Sequence, residues 1–270
     1  MILVKLQGGL GNQMFQYAAA KGLNHNAAIY IDLSFLRKHN QSTPAFTARS
    51  FELGIFPNIK PIGLLKRIFF FKPTTISDDN VTEFLNKGHI AHDNFYLDGY
   101  FQNEKYFINI REELLREFEF PKLTGTALTF AHQITDGHNN VSMHIRRGDY
   151  LKAEPLAFHG ILPISYYQQA VAIIDEKVLN PHYFVFSDDP EWCEANLSFL
   201  ENRATIVKNN SKVWEDMYLM SICSHHIIAN SSYSWWAAWL NKNKNKIIVT
   251  PKQWFVNQHT NIVPQGWIKV

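Results

Sequence analysis

The chain has 270 residues, of which 46% are hydrophobic and 19% charged, a balance typical of a globular protein long enough for two compact domains. Its net charge of +2 is too small to argue for nucleic-acid binding, which requires clustered Lys and Arg, so we expect no nucleic-acid partner. The two cysteines do not form a Cys-x-x-Cys motif, which excludes the usual spacing of a zinc or redox site.

The first half of the chain begins as an alternation of strands and helices. Residues 40–100 then show no clear period and are rich in Asn, Pro and aromatic side chains. The small residues Ala18, Ala19 and Ala20 of the first helix predict a close neighbour. The predicted elements are strand 2–6, glycine loop 8–12, helix 14–23, strand 28–33 and an amphipathic helix 103–118.

The second half predicts five strands separated by four helices, which indicates a parallel sheet with helices on both faces. Pro163 and Pro190 stand where two of the helices begin, and Ser211 is suited to cap a third. The predicted strands are 141–145, 183–186, 204–207, 226–229 and 246–249, and the helices are 163–174, 190–200, 211–223 and 233–240.

Both halves therefore favour an α/β protein with two domains. The polar stretch 135–140 divides them, so that the expected domains are 1–137 and 138–270. The first residues lack the pattern of a signal peptide, and two isolated cysteines suit a reducing compartment, so we expect a cytoplasmic protein. Residues 64–72 are apolar with flanking positive charge, which predicts either a core element or weak contact with an acidic membrane surface.

Three polar motifs each follow a predicted strand of the second half. They are residues 144–149 (His-Ile-Arg-Arg-Gly-Asp), 187–189 (Ser-Asp-Asp) and 230–232 (Asn-Ser-Ser). If the strands are parallel, all three motifs lie at the carboxyl edge of one sheet, where open α/β sheets bind ligands. The sequence therefore predicts a ligand site at this edge.

The residue types at this edge predict a diphosphate ligand. Arg146 and Arg147 can clamp a diphosphate, because guanidinium groups pair with phosphate oxygens in a bidentate manner. Ser231 and Ser232 stand where a helix begins, so their hydroxyls and the free N–H groups can hold a further phosphate oxygen. The loop 8–12 is a second candidate of this kind. Arginine charge can replace a metal at a departing diphosphate, and we expect no metal.

These segments resemble the bacterial-type α-1,2-fucosyltransferases of glycosyltransferase family 11. The resemblance runs in the right order from residue 1 to about residue 255. It implies a GT-B fold, in which an acceptor-side domain (1–137) and a donor-binding domain (138–270), both Rossmann-like, face each other across a cleft. It also implies inverting, metal-independent transfer of L-fucose from GDP-fucose to the 2-hydroxyl of a terminal galactose on an oligosaccharide. The matching segments are 8–13, 144–150, 186–193 and 229–241.

The resemblance also assigns roles to individual residues. Arg146 matches the arginine that binds the β-phosphate and stabilises the departing GDP, and Arg147 supports this loop or reaches the phosphate itself. His144 matches a histidine whose segment contacts guanine, and Asp216 matches an aspartate that accepts two guanine N–H groups. Asp149 is expected to brace the arginines. The candidate set is catalytic Arg146 and Asn12, and donor-binding His144, Arg147, Asp149, Ser187, Asp188, Asp216, Ser231, Ser232, Gly9 and Gly11.

The general base and the exact activity stay open at this point. Asn12 lies in the loop where the acceptor is expected, but an amide can only orient a hydroxyl or a water. A carboxylate such as Asp32 or Asp98, or a mechanism driven by the leaving group without a base, are the alternatives. The alternative functions are transfer of another GDP-sugar or to another linkage, and GDP or sugar binding without catalysis. The intact Arg146–Arg147 pair weighs against a pure binding protein.

Overall fold

A computed structural model of the chain divides into two compact units, Met1–Pro121 and Lys122–Val270. The apolar segment 64–72 and Ser211, both singled out in the sequence, lie outside the described residues. Within the described part of the chain, every helix is too short or too polar to cross a membrane. The structure describes residues 1–43, 46–57, 59, 73–86, 94–137, 139–151, 153–208, 212–256 and 262–270.

The first unit is a parallel α/β layer. Its described strands are β1 (Ile2–Lys5), β2 (Ile29–Asp32), β3 (Thr74–Ile76) and β4 (Phe95–Leu97). Its described helices are α1 (Leu10–Leu23), α2 (Ser34–Lys38), α3 (Val81–Asn86) and α4 (Arg111–Glu117). The strand order is β2-β1-β4-β3, with every pairing parallel. Because β1 lies between β2 and β4, the strand order reverses beside β1, at its carboxyl end next to that of β4.

Helix α1 is buried on all sides over most of its length, and small residues in its second half allow close packing. Ala18, Ala19 and Ala20 are fully buried. A Cβ atom added at Gly22 would overlap the backbone oxygen of Tyr106. The sequence-based prediction of small residues against a close neighbour is confirmed.

Two sequence predictions for the first unit are wrong in detail. Helix α1 begins at Leu10 instead of residue 14, so Gly11 and Asn12 lie in its first turn. The amphipathic pattern over 103–118 forms two short 3₁₀ turns, at Glu104–Tyr106 and Ile108–Ile110, before α4 begins. Asn103 starts this interruption, because its side chain accepts a hydrogen bond from the N–H of Lys105 and so favours a tight turn.

The second unit is a larger α/β layer whose elements are named in chain order. The described helices are α5 (Gly125–Asp136), α6 (Ala153–His159), α7 (Ile164–Lys177), α8 (Pro190–Asn196), α9 (Val213–Ile222) and α10 (Ser232–Leu240). The described strands are β5 (Asn140–Ile145), β6 (His182–Ser187), β7 (Ala204–Ile206), β8 (His225–Ile227), β9 (Ile248–Thr250) and β10 (Ile268–Lys269). Their order is β10-β9-β8-β5-β6-β7, all parallel.

This order is that of a Rossmann sheet. The first strand of the unit, β5, pairs with β6 on one side and with β8 on the other. The switch point of the second sheet therefore lies between the carboxyl ends of β5 and β8. The core on this sheet is apolar, with Val141, Met143 and Val185 buried among the side chains of helix α7.

The five strands predicted for the second half are all present, and β10 extends the sheet by one strand. The structure divides the chain at Pro121, earlier than the predicted boundary at 137. The reason is helix α5, which lies before the predicted boundary and packs against α9 of the second unit. The polar stretch at 135–140 is the connection between α5 and β5.

Candidate active site

The switch point of the second sheet brings two of the predicted motifs together. Arg146 and Arg147 follow β5, and Asn230, Ser231 and Ser232 follow β8. Because β5 and β8 are paired parallel neighbours, both loops leave the sheet at the same edge. This is the position at which ligands of open α/β sheets bind.

Two neighbouring carboxylates hold the arginine pair. Arg146 Nη1 lies 3.0 Å from Oδ2 of Asp188, and the N–H of Arg147 donates to Oδ1 of the same carboxylate at 2.9 Å. Arg147 Nε donates to Oδ2 of Asp189 at 3.1 Å. The guanidinium of Arg147 also stacks over the ring of Trp192, 4.1 Å from its centroid. Both arginines are thus fixed by the loop that follows β6.

Asp188 and Asp189 have separate structural tasks. Asp189 is the N-cap of α8, and its Oδ1 accepts the N–H of Trp192 at 3.1 Å. A Cβ atom added at Gly148 would lie 2.8 Å from Oδ2 of Asp188. The loop after β5 can therefore approach Asp188 only because residue 148 lacks a side chain.

An aromatic residue links the two loops across the switch point. The hydroxyl of Tyr150 donates to the backbone oxygen of Asn230 at 3.1 Å, and the guanidinium of Arg146 lies 5.7 Å from the centre of the Tyr150 ring. The ring stacks on His159, with centroids 4.5 Å apart. Asn230 in turn donates from its amide to the backbone oxygen of His159 at 2.7 Å. The loops that carry the two motifs are therefore one connected structure.

His144 lies at the carboxyl end of β5, beneath these loops. It is buried, and its Nδ1 makes no hydrogen bond within the described residues. Its ring lies 5.7 Å from that of Tyr233. The pKa of His144 is lowered to about 3, mainly by burial and also by the charge of Arg146, whereas Asp188 opposes both effects. The imidazole is therefore neutral at neutral pH.

The two serines at the start of α10 differ in their availability. Ser231 is the buried N-cap, and its Oγ accepts the N–H of Tyr233 at 3.3 Å. Ser232 is the first residue of the helix and is partly exposed. Of the pair, Ser232 keeps the hydroxyl better placed for a phosphate oxygen, which stays a prediction.

The remaining candidates of the second unit lie around this edge. Ser187 ends β6 and its Oγ accepts the N–H of Asp189 at 3.0 Å, so it shapes the carboxylate loop. Asp216 is half-buried in the first turn of α9, a helix that packs against β5 and β6. The side chain of Asp149 lies outside the described part, and the carboxylates seen bracing the arginines are Asp188 and Asp189.

The candidates of the first unit lie at the switch point of the first sheet. Oδ1 of Asn12 accepts the side-chain amide of Gln102, which follows β4, at 2.8 Å. Gly8 adopts a φ of 76°, and a Cβ atom there would overlap the side chain of Asn12. Phe101 is a buried non-glycine residue with a φ of 51°, a strained conformation that presents Gln102. The structure thus orients Asn12 from two loops.

The carboxylate of Glu52 lies at the start of α1, where the sequence predicts phosphate binding. Oε2 of Glu52 accepts the N–H of Leu10, the first residue of α1, at 2.8 Å. This carboxylate satisfies one of the free N–H groups of the helix, and its charge opposes a phosphate there. Phosphate binding by Gly9 and Gly11 stays a prediction, and one that Glu52 disfavours.

Comparison with known sequences decides the family. The profile of glycosyl transferase family 11 matches residues 1–270. The chain belongs to glycosyltransferase family 11. The predicted α/β class with two Rossmann-like domains is confirmed, each unit being a layer built on a parallel sheet.

Three relatives show which activities occur among similar proteins. The chain is 34% identical to the O-antigen biosynthesis glycosyltransferase WbnK of Escherichia coli, over 98% of this chain and 99% of that protein. It is 32% identical to an Escherichia coli α-1,2-colitosyltransferase, over 100% and 99% of the two chains. It is 29% identical to human galactoside α-(1,2)-fucosyltransferase 1, over 53% of this chain and 42% of that protein.

Several site residues of this family 11 glycosyltransferase do not follow from the sequence pattern. Tyr150 and Trp192 lie within the segments 144–150 and 186–193 that match the family. The sequence signal that could have identified them is the presence of aromatic side chains in the motifs that carry the arginines and aspartates. The cap at Asp189 was indicated by the proline that follows it. Glu52 had no signal, because it meets Leu10 from 42 positions away along the chain.

Proposed function

We propose that this family 11 glycosyltransferase transfers L-fucose from GDP-fucose to the 2-hydroxyl of a terminal galactose on an oligosaccharide, with inversion and without a metal. The observation that carries the proposal is the Arg146–Arg147 pair, held by Asp188 and Asp189 at the switch point of the second sheet. The similarity to human galactoside α-(1,2)-fucosyltransferase 1 supports the sugar and the linkage.

The arginine pair suits the chemistry of a departing diphosphate. Breaking the glycosidic bond of a GDP-sugar leaves negative charge on the β-phosphate, while the sugar develops oxocarbenium character. Arg146 and Arg147 present two cations whose positions are fixed before reaction, so little reorganisation is needed as this charge grows. The partial exposure of both side chains, 23% for Arg146 and 17% for Arg147, leaves donor groups accessible.

The guanine base is proposed to bind near the end of β5. His144 offers an uncharged, buried imidazole whose Nδ1 is without a hydrogen-bond partner among the described residues. Asp216 lies in the first turn of α9, and this helix packs against the same strand. A carboxylate that accepts two N–H groups would select guanine over adenine, because adenine does not present that pair of donors.

A second candidate donor is GDP-colitose. The similarity to an α-1,2-colitosyltransferase extends over 100% of this chain, which specifically favours this reading. Colitose is L-fucose without its 3-hydroxyl. A site that hydrogen-bonds that hydroxyl discriminates strongly against the analogue that lacks it, so the ratio of kcat/KM values for the two donors distinguishes the candidates.

The test is release of GDP from each donor in the presence of EDTA, over a panel of galactose-terminated acceptors, with product linkage determined by NMR. We expect wild-type turnover with GDP-fucose, unaffected by EDTA. Arg146→Ala should lose roughly 10²–10³ in kcat, because it removes one charge that stabilises the leaving group.

Arg203→Ala is the matched control. Arg203 also pairs with an aspartate, Asp175, at 2.7 Å, but it precedes β7 and so lies at the amino edge of the same sheet. Its turnover should equal that of the wild type. Equal losses in both variants would contradict the role of Arg146, and a more than tenfold preference for GDP-colitose would move the donor to the second candidate.

A further inference from the structure

Carboxylates surround the switch point of the first sheet, on the unit that carries Asn12. Asp32 ends β2, Asp98 follows β4, and Asp78 follows the edge strand β3. Glu52 reaches the same region through the first residue of α1. Asp79 also follows the edge strand β3 and is exposed. A general base for the transfer reaction needs a carboxylate oxygen that is not already engaged.

Three of these carboxylates have both oxygens engaged. Asp32 accepts the N–H of Ser34 at 2.9 Å and the hydroxyl of Tyr96 at 3.1 Å. Asp98 receives the ammonium of Lys5 on both oxygens, at 2.7 and 2.8 Å. These bonds make the two carboxylates structural.

Asp78 is engaged in the same manner. Its two oxygens accept the backbone N–H groups of Tyr100 and Phe101 at 2.8 and 2.7 Å. These bonds hold the strained turn at Phe101, from which Gln102 reaches Asn12. Asp78 is therefore committed to shaping the loop after β4.

Glu52 differs because only one of its oxygens is engaged. Oε2 accepts the N–H of Leu10, whereas Oε1 has no hydrogen bond or ion pair within the described residues. The backbone of Glu52 is fixed, since its N–H donates to Oε1 of the buried Gln13 at 2.9 Å. The amide of Gln13 donates in turn to the backbone oxygens of Gly8 and Ser50. This network holds Glu52 at the first turn of α1, the turn that also contains Asn12, and leaves one carboxylate oxygen without a hydrogen bond among the described residues.

The surroundings of Glu52 also suit proton transfer. Burial raises the pKa of this carboxyl, while the N–H of Leu10 and the charge of Arg49 partly offset the effect. A carboxylate with a raised pKa is a stronger base than one in water. The N–H bond to Leu10 fixes the carboxylate without consuming its second oxygen.

We propose that Glu52 is the general base, an inference that rests on the proposed glycosyl transfer. The oxygen of the acceptor hydroxyl forms the new bond to the anomeric carbon of the donor sugar. The bond from that carbon to the β-phosphate oxygen breaks, and its electron pair leaves with GDP. The hydroxyl proton moves to Oε1 of Glu52 and afterwards passes to solvent. Asn12 orients the same hydroxyl, because its amide is itself oriented by Gln102.

The test compares Glu52→Gln with Asp98→Asn. Glutamine keeps an oxygen for the N–H of Leu10 but cannot accept the proton, so kcat should fall roughly 10²–10⁴-fold. The Kd for GDP and the thermal unfolding midpoint should stay at wild-type values, which separates loss of chemistry from loss of fold. Asp98→Asn, which alters a carboxylate already paired with Lys5, should keep wild-type turnover.

Azide provides a second readout that a structural role would not affect. Azide is an anion and attacks the anomeric carbon without losing a proton, forming a glycosyl azide and GDP. Added azide should therefore restore GDP release in Glu52→Gln at least tenfold, and should not restore it in Arg146→Ala. Wild-type turnover in Glu52→Gln, or a loss that azide does not restore, overturns the role of Glu52. Lack of turnover by the wild type on every donor overturns the proposed function instead.

Discussion

At the scale of single residues, the second-unit site is a set of paired charges with little freedom. Arg146 pairs with Asp188, and Arg147 pairs with Asp189 and stacks on Trp192. Each aspartate is itself fixed by the chain, through a backbone N–H or a helix cap. The guanidinium groups are thus held in position by protein contacts, which is the arrangement that makes charge stabilisation effective.

Gly148→Ala tests whether Asp188 positions Arg146. The new Cβ atom would lie 2.8 Å from Oδ2 of Asp188, closer than such contacts allow, and the flexible carboxylate would be the group that moves. We expect kcat to fall about tenfold with little change in the unfolding midpoint, because the site is disturbed and the core is not. Steady-state kinetics and thermal unfolding measure the two quantities.

A double-mutant cycle provides the control. If the alanine acts through Asp188, it should have little further effect in an Asp188→Ala background, since the displaced carboxylate is already absent. Strictly additive losses in kcat would show that Gly148→Ala disturbs the loop by some other route.

The sequence predicts that the second-unit candidates meet at one sheet edge, but it does not predict the contact of Glu52 in the first unit, for a physical reason. Arg146, Asp188 and Ser232 each follow a buried apolar strand, so parallel pairing alone brings their loops to one edge. Glu52 belongs to a segment without a clear period. Its contact with Leu10 joins residues 42 positions apart and depends on the path of the chain between β2 and β3. Local sequence patterns do not predict such a contact.

At the scale of elements, buried parallel strands are the most predictable. β5 is buried at every position and β6 at its four central positions, as expected of parallel strands in a sheet that is covered on both faces. Helix boundaries are less predictable. α1 begins at Leu10, within the glycine-rich segment, because Glu52 satisfies its first N–H from a distant part of the chain. The 3₁₀ turns before α4 replace a helix that the apolar spacing over 103–118 predicts.

Gly22→Ala tests the close packing of α1. The added Cβ atom would overlap the backbone oxygen of Tyr106, which cannot move as a side chain can. We expect the unfolding free energy to fall by about 1–3 kcal/mol, the usual cost of overpacking. Urea denaturation measures it. Gly9→Ala is the control, because its Cβ atom would meet Arg49 at an ordinary 3.8 Å and should cost less than Gly22→Ala, through the weaker N-cap alone.

At the scale of the whole molecule, the two units divide the chemistry by charge. The second unit presents cations at its switch point, suited to a diphosphate, and the first presents an acid and an amide, suited to a hydroxyl. Both sets stand at the reversal of strand order in their own sheet. The same rule of sheet topology therefore accounts for where each of the two sets of residues lies in its own unit.

The stability of the molecule should fall in acid because histidines are buried on the neighbouring strands β5 and β8, His144 and His226 most deeply. The pKa of His144, on β5, and of His226, on β8, is lowered to about 3, mainly by burial, with Arg146 contributing at His144 and Lys246 and His225 at His226. The unfolded chain binds these protons near pH 6.5 and the folded chain does not. The stability is therefore complete above pH 6.5 and is lost progressively as pH falls towards 3.

Each of the two histidines should contribute a slope of about 1.4 kcal/mol per pH unit within that window. Urea denaturation at about pH 7.5 and about pH 5.5 measures the combined loss, to which other titrating groups contribute equally in wild type and variant. In the wild type, Oγ of Ser142 lies 2.8 Å from Nδ1 of His226. In His226→Gln the glutamine can keep a polar contact to Ser142, but it cannot titrate. The variant should be less stable at neutral pH and lose less on acidification, by roughly the share of one histidine. An unchanged pH dependence in His226→Gln would show that His226 takes up its proton in the folded state as readily as in the unfolded chain.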